Sequence, residues 1–122
     1  MRPILHTLLL LFLTLIISCQ KIALFPPNAE KITINGTVSD ENNNLLDSVE
    51  IKLYESSILY SEFCIGGKYS KNGILKFEFT PKEGMWNYRL RFFKKGYRNE
   101  EYKVVGSKGF QKCDIIMEKA VE

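Results

Sequence analysis

From residue 31 onward, apolar and polar residues alternate in short runs, which is the pattern of β-strands with one buried and one solvated face. In the first run, Ile32, Ile34 and Val38 face one way, with polar residues opposite and Gly36 interrupting the apolar row. The same alternation predicts six more strands, at about residues 48–55, 58–65, 75–79, 86–92, 102–104 and 113–117. No segment after residue 30 shows the period of an amphipathic helix.

Turn-forming residues separate these runs. The acidic and amide side chains of residues 40–44, the pair Asn72-Gly73 and the segment 81–84 each end a run. The pair Gly66-Gly67 is interpreted as a further break after the third strand. Seven short strands with turns at intervals of roughly 8–12 residues predict an all-β fold, a seven-stranded β-sandwich over residues 31–119. The longest inward row, in the fifth strand, consists of Trp86, Tyr88, Leu90 and Phe92.

A different pattern precedes the strands. Residues 4–17 are apolar apart from His6 and two threonines, and Arg2 adds a positive charge before them. A basic start followed by an apolar run of this length describes a secretory signal peptide. The run is shorter than the roughly 20 apolar residues that a membrane-spanning helix needs. We therefore expect residues 1–18 to be removed.

The end of the apolar run, Ile16-Ile17-Ser18-Cys19, resembles the lipobox of bacterial lipoproteins. The resemblance implies that the Cys19 thiol is alkylated with diacylglycerol and that Cys19 becomes the first residue of the mature protein. Residues 19–30, with Pro26-Pro27, are then a lipidated tether before the domain. An uncleaved helix, or a cysteine placed there by chance, is the alternative interpretation.

The lipoprotein resemblance also implies a location. The mature chain would be held in the bacterial outer membrane by its acyl chains, since diacylglycerol together with an N-acyl chain suffices for stable anchoring. No acidic run follows Cys19, and in Bacteroidota-type lipoproteins such a run accompanies export to the surface. The periplasmic side is therefore favoured over the cell surface.

Charge and histidine content exclude several classes of function. The chain of 122 residues has 17 basic and 14 acidic residues, and losing Arg2 with the signal leaves a net charge of about +2. This charge is too small and too mixed to indicate nucleic-acid binding. Since the only histidine, His6, also leaves, the mature domain lacks a Ser–His or Cys–His pair and an imidazole ligand for zinc. We expect a protein that is not an enzyme and needs no cofactor or metal.

Two cysteines and a small acidic group leave alternatives open. Cys64 and Cys113 would form a disulfide in an oxidising compartment, or remain as buried free thiols that pack like small apolar residues. Asp40, Glu41 and Asp47 lie near one turn and offer oxygen ligands for calcium, but their spacing matches no EF-hand loop.

Three segments resemble the carboxypeptidase regulatory-like domain, a transthyretin-like family. They are residues 36–40 (GTVSD), 46–53 (LDSVEIKL) and 70–77 (SKNGILKF). Asn43 and Leu45 depart from the family's usual turn glycine and proline. The resemblance implies a prealbumin-type β-sandwich, but the matched residues belong to turns and core and imply no function. Some transthyretin-like proteins hydrolyse 5-hydroxyisourate with histidines that the mature chain lacks, so we do not expect that activity.

The function expected from these features is that of a lipid-anchored, non-catalytic module with a protein partner in the cell envelope. The alternative is an accessory lipoprotein that binds glycans through exposed aromatic side chains. Phe93 and Tyr97 are the candidates for this role, because the alternation predicts that Trp86 and Tyr88 belong to the core. A basic outer face for lipid headgroups or an acidic partner, or a merely solvated one, would consist of Arg89, Arg91, Lys94, Lys95 and Arg98.

Overall fold

The computed structural model describes residues 24–59 and 61–121, so the predicted signal peptide and Cys19 lie outside the described residues. Within this part of the chain, no helix has the length and apolar character needed to cross a bilayer. The described residues form seven strands: β1 (Ile32–Asp40), β2 (Glu50–Ser56), β3 (Phe63–Tyr69), β4 (Ile74–Phe79), β5 (Asn87–Phe93), β6 (Glu100–Lys103) and β7 (Phe110–Met117).

The strands form two sheets. One has three strands in the order β4-β1-β7, and the other has four in the order β3-β2-β5-β6. Strand β1 is antiparallel to β4 and parallel to β7, whereas every pairing in the four-stranded sheet is antiparallel. The predicted all-β, seven-stranded sandwich is therefore confirmed.

The core lies between the sheets and consists of the alternating apolar rows. Because side chains along a strand point to opposite faces, each run contributes every second residue to it. The most completely buried apolar side chains are Ile32, Ile34, Val38, Val49, Ile51, Leu75, Tyr88, Leu90, Phe92 and Met117. Gly36 interrupts the row in β1 because the backbone of β7 approaches it closely: a Cβ atom at Gly36 would lie 1.6 Å from the carbonyl oxygen of Cys113.

The third strand differs from its prediction. The alternation predicted residues 58–65, but β3 begins at Phe63 and runs to Tyr69, so that Gly66-Gly67 lie within the strand. The register with β2 shifts between Leu53 and Tyr54, and glycines in a strand commonly accompany such bulges. Interpreting the glycine pair as a break was therefore wrong. The two glycines lie within β3, next to the shift in its register with β2.

The segment predicted as a tether is partly folded. The Phe25 amide donates to the Met85 carbonyl at 2.9 Å, and its own carbonyl accepts from the Gly84 amide at 3.0 Å. The Phe25 side chain is buried, with its ring edge-on to Tyr88 and the centroids 5.3 Å apart. The folded unit therefore begins at least six residues before the predicted boundary at residue 31, since a single phenylalanine before two prolines has no periodic signal.

Candidate functional site

Trp86 lies at the end of the sandwich where Phe25 packs. It immediately precedes β5, and its amide donates to the carbonyl of Ser56, the last residue of β2, at 3.1 Å. The side chain is 47% exposed, so its predicted place in the core was wrong. The inward row of β5 begins at Tyr88, and Met85 is buried before it instead.

Two clefts lie on either side of Trp86. The shallower cleft has a volume of about 570 Å³ and is lined by Ser56, Ser57, Ile58, Leu59, Ser61, Glu62, Trp86, Asn87 and Arg89. The more enclosed cleft has a volume of about 290 Å³ and is lined by Leu24, Phe25, Pro26, Trp86, Asn87, Tyr88, Val104, Gly106 and Ser107. The indole is therefore accessible from both sides, and the lining of the smaller cleft has no charged residue.

Exposed apolar side chains surround this tryptophan. Leu59 is 89% exposed, and Leu24 and Ile58 are also exposed. We call Leu24, Ile58, Leu59 and Trp86 together the Trp86 surface. Sequence reasoning missed it because three of its residues lie outside regular strands and the fourth was predicted to be buried.

A buried polar cluster lies in the core at the same end of the sandwich. Glu55 is 1% exposed, and its Oε2 accepts a hydrogen bond from the Tyr88 hydroxyl at 3.0 Å. That hydroxyl accepts in turn from the Lys82 backbone amide at 2.8 Å, while Lys82 Nζ lies 3.6 Å from Glu55 Oε1. Burial, together with the bond to Glu55, raises the pKa of Tyr88 to about 12. The phenol is therefore protonated at neutral pH and serves as a donor to the carboxylate.

Glu55 is enclosed at this end of the core. The sequence contained a signal for it: Val49, Ile51, Leu53 and Glu55 share one face of the strand by simple alternation. A carboxylate on an inward row predicts a buried polar partner.

The two aromatic residues predicted to face a ligand are half-buried. Phe93 lies on the outer face of β5 beneath Lys52, whose Nζ is 5.4 Å from the ring centroid. Tyr97 packs against the core beside a backbone bridge to Lys119. Trp86, Tyr69 and Phe110 are exposed instead. Neither ring is as exposed as the sequence predicted, because Lys52 lies over Phe93 and Tyr97 packs against the core.

The predicted basic face is largely neutralised. Arg89 and Arg91 both pair with Glu62 and Glu101, and the Arg91 guanidinium lies 4.5 Å from the Tyr54 ring centroid. Two more of the five cations also have partners: Lys94 Nζ donates to the Asp47 carbonyl at 2.7 Å, and Arg98 lies 3.6 Å from Glu118. This face therefore has alternating charges rather than a continuous positive patch.

The acidic side chains considered for calcium are engaged in turns. The Asp40 carboxylate accepts from the amides of Asn42 and Asn44, and Asp47 accepts from the amide of Asn72. These hydrogen bonds lower the pKa of both carboxyls below the usual value. Between residues 24 and 121, leaving aside residue 60, no group of three His, Cys, Asp or Glu side chains has the arrangement of a metal site.

Cys64 and Cys113 are free thiols, so the disulfide considered from the sequence is not formed. Cys64 is exposed on β3, at one edge of the four-stranded sheet. Cys113 is buried on β7, which contacts β6 at the opposite edge of that sheet. The two cysteines therefore lie on opposite sides of the sandwich.

We expect a chain beginning at Gln20 to expose one reactive thiol when folded and two after denaturation. Burial raises the pKa of the Cys113 thiol to about 12, and the thiolate is the form that attacks alkylating reagents. Mass spectrometry after iodoacetamide treatment should show labelling of Cys64 alone in the native protein. Equal labelling of both cysteines without denaturant would contradict the burial of Cys113.

Comparisons with known proteins support the fold. No protein-family model matches the chain, and neither does any curated protein sequence. The 3-chlorocatechol 1,2-dioxygenase from Rhodococcus opacus 1CP is similar in structure, with a TM-score of 0.57 and 9% identity over 77% of this chain and 61% of that one. The chlorocatechol 1,2-dioxygenase from Pseudomonas putida has a TM-score of 0.55 and 10% identity, covering 74% of this chain and 61% of its own. A streptococcal ancillary pilin has a TM-score of 0.49 and 16% identity, covering 75% of this chain and 33% of the pilin.

This chain spans about three-fifths of the length of the two dioxygenases. At 9% and 10% identity, the likeness shows a common fold and carries no information on activity. The chain is a seven-stranded β-sandwich, and the likeness to the two dioxygenases supports this fold.

Proposed function

We propose that this chain is a lipid-anchored, non-catalytic β-sandwich of the bacterial cell envelope that serves as a protein-interaction module. The anchor is the acylated thiol of Cys19, and the support for it is the lipobox-like segment that ends the apolar run. The proposed location is the periplasmic side of the outer membrane. The domain after the anchor presents surfaces to an envelope protein.

The observation that carries the interaction role is the exposure of β3. All seven of its residues are exposed, and among the described strands it pairs only with β2. An edge strand has a row of backbone donors and acceptors that a strand of another chain can pair with. From Gly66 to Tyr69 the ladder with β2 is regular, and Lys68 is the only charged residue of β3, which contains no proline. Among these four residues Lys68 is the one charge and none is proline, so this part of the edge has little of the protection that edge strands usually have.

Acylation is tested by growing cells that express the full chain with radioactive palmitate. The wild-type protein should take up label, and Cys19→Ala should not, because the Cys19 thiol is the acceptor for diacylglycerol. Cys64→Ala is the matched control and should be labelled like the wild type. An unlabelled wild-type protein would refute the anchor.

The interaction role is tested by photo-crosslinking in intact cells. A benzophenone side chain at Tyr69, on β3, should form a defined adduct with an envelope protein. The same side chain at Phe110, an exposed aromatic position on the other sheet, is the control and should not form that adduct. Equal adducts from both positions, or none from position 69, would exclude the β3 edge as the interface.

Glycan binding is the second candidate function, and the exposure of Trp86 supports it. The indole lies beside a cleft that includes Ser56, Ser61 and Asn87, whose polar groups suit sugar hydroxyls. Aromatic faces offer sugars an apolar stacking surface next to such groups. On a glycan array with residues 20–122, binding of a defined sugar that is lost in Trp86→Ala would favour this candidate over the first.

A further inference from the structure

The N-terminal segment emerges from the domain at the Trp86 surface. Leu24 is part of this surface, and the next residue, Phe25, is fixed by its two backbone hydrogen bonds to residues 84 and 85. Leu24 is five positions after Cys19 in the chain. Even a fully extended chain of five residues spans at most about 18 Å. An acyl anchor at Cys19 would therefore hold this end of the sandwich close to the bilayer.

The opposite end of the sandwich faces away from that anchor. Strands β2 and β5 pair so that Ser56 and Asn87 lie at the Trp86 end, while Glu50 and Phe93 lie at the other end. The turn at residues 40–44 and the residues that follow β5 belong to this distal end. Of the two ends, the one nearest the anchor is thus the one with the exposed tryptophan.

The composition of the Trp86 surface matches the interfacial region of a bilayer. Leu24, Ile58 and Leu59 offer only hydrocarbon, whereas the indole combines a large apolar ring with one N–H donor. Tryptophan is enriched at the level of the lipid headgroups for this reason. A sugar would gain little from three aliphatic side chains that cannot form hydrogen bonds.

Few charges need to be dehydrated when this surface meets lipid. The lining of the smaller cleft has no charged residue, and that of the larger has only Glu62 and Arg89. These two side chains already pair with each other, with Arg89 Nε 3.8 Å from Glu62 Oε2. Contact of this surface with lipid therefore does not bury an unpaired charge.

We propose that the Trp86 surface inserts into the headgroup region of the phospholipid bilayer that holds the lipid anchor, which fixes the orientation of the sandwich on the membrane. This inference rests on the proposed anchor at Cys19. Acyl chains alone tether a domain without orienting it, whereas a second apolar contact restricts its rotation. The docked domain directs its distal end and the β3 edge near Tyr69 away from the lipid, toward a partner.

Trp86 is the only tryptophan of the chain, so its fluorescence reports on this surface directly. The experiment uses the full chain, processed in a bacterium and reconstituted into vesicles of phosphatidylethanolamine and phosphatidylglycerol. We expect a blue-shifted emission, quenching of roughly twofold by lipids brominated near the headgroup, and protection from aqueous iodide. Emission that remains accessible to iodide and unaffected by brominated lipid, in protein that takes up palmitate label, overturns the docking and leaves the anchor intact.

Two variants separate docking from misfolding. Leu59→Asp places a charge on the most exposed apolar side chain of the surface and should abolish quenching by brominated lipid while leaving the circular dichroism spectrum unchanged. Ile116→Asp, at an exposed apolar position of β7 near the distal end, is the matched control and should be quenched like the wild type. Equal quenching of Leu59→Asp and the wild type would overturn the proposal.

A second arm replaces the lipid anchor. The chain beginning at Gln20 is held on nickel-chelating vesicles through an N-terminal hexahistidine, so that docking is measured even if Cys19 carries no lipid. Quenching by brominated lipid in this arm supports the docking independently of acylation. A blue shift caused by added glycans instead of vesicles, or by raising the protein concentration without vesicles, overturns the proposal in favour of a sugar or a second copy of the chain.

Discussion

Gly36→Ala is expected to lower the free energy of unfolding by about 3 kcal/mol or more, at the upper end of what overpacking costs. The new Cβ would lie 1.6 Å from the Cys113 carbonyl oxygen, well inside van der Waals contact. That oxygen belongs to the backbone of β7, which pairs in parallel with β1 over eight positions, so it cannot rotate away like a side chain. Either the two strands separate locally or the register between them is lost.

Urea denaturation of residues 20–122, followed by circular dichroism, measures this effect. Gly66→Ala is the matched control, because a Cβ at Gly66 meets no atom within 4 Å. Its unfolding midpoint should stay close to that of the wild type. If Gly36→Ala unfolds at the same urea concentration as Gly66→Ala, the close approach of β1 and β7 at this position is wrong.

Tyr88→Phe is expected to reduce stability by about 2 kcal/mol, because it leaves buried polar groups without their partner. The substitution keeps the ring that packs between Phe25 and Phe79 and removes only the hydroxyl. Glu55 Oε2 then loses its donor, and the Lys82 amide loses its acceptor. Tyr69→Phe is the control, since the Tyr69 hydroxyl bonds with Glu50 on the exposed face and water can replace it.

The same phenol predicts a dependence of stability on alkaline pH. The pKa of Tyr88 is about 12 in the folded chain and about 10 in an unfolded one. The Tyr88 hydroxyl therefore makes its full contribution to the free energy of unfolding below pH 10. This contribution is lost as the pH rises to 12, because the phenol of the unfolded chain loses its proton at a lower pH than the phenol of the folded chain. Between these values Tyr88→Phe should lose less stability than the wild type or Tyr69→Phe. If all three proteins lose stability equally over this pH range, the raised pKa of a buried Tyr88 is contradicted.

The two proposed contact regions are compatible with each other. The Trp86 surface lies at the end where the N-terminal segment emerges, and Tyr69 pairs with Glu50 at the distal end of β2. A bilayer at one end would leave the regular part of the β3 edge accessible to a strand from a partner. The acyl anchor would hold the domain at the membrane, and docking would in addition fix the orientation of the β3 edge.

Much of the fold could be inferred from the order of residues alone. Alternation is a local property, since successive side chains of a strand point to opposite faces whatever the strand pairs with. It therefore identified the β-sandwich and the inward rows of β1, β2, β4 and β7 before any pairing was known. The lipobox-like segment at Cys19 is likewise a local signal, and for this reason the anchor was proposed without a structure.

The candidate site depended on contacts between distant segments. Trp86 continues the alternation of β5 yet is exposed, because β2 ends at Ser56 and the ladder between the two strands ends there as well. Phe25 was assigned to a tether but is buried against Tyr88. Phe93 was expected to be exposed to solvent but lies under Lys52. A periodic pattern shows which face of a strand is apolar. Only the tertiary structure shows where a sheet ends and which segment covers it, because these depend on packing between residues far apart in the chain.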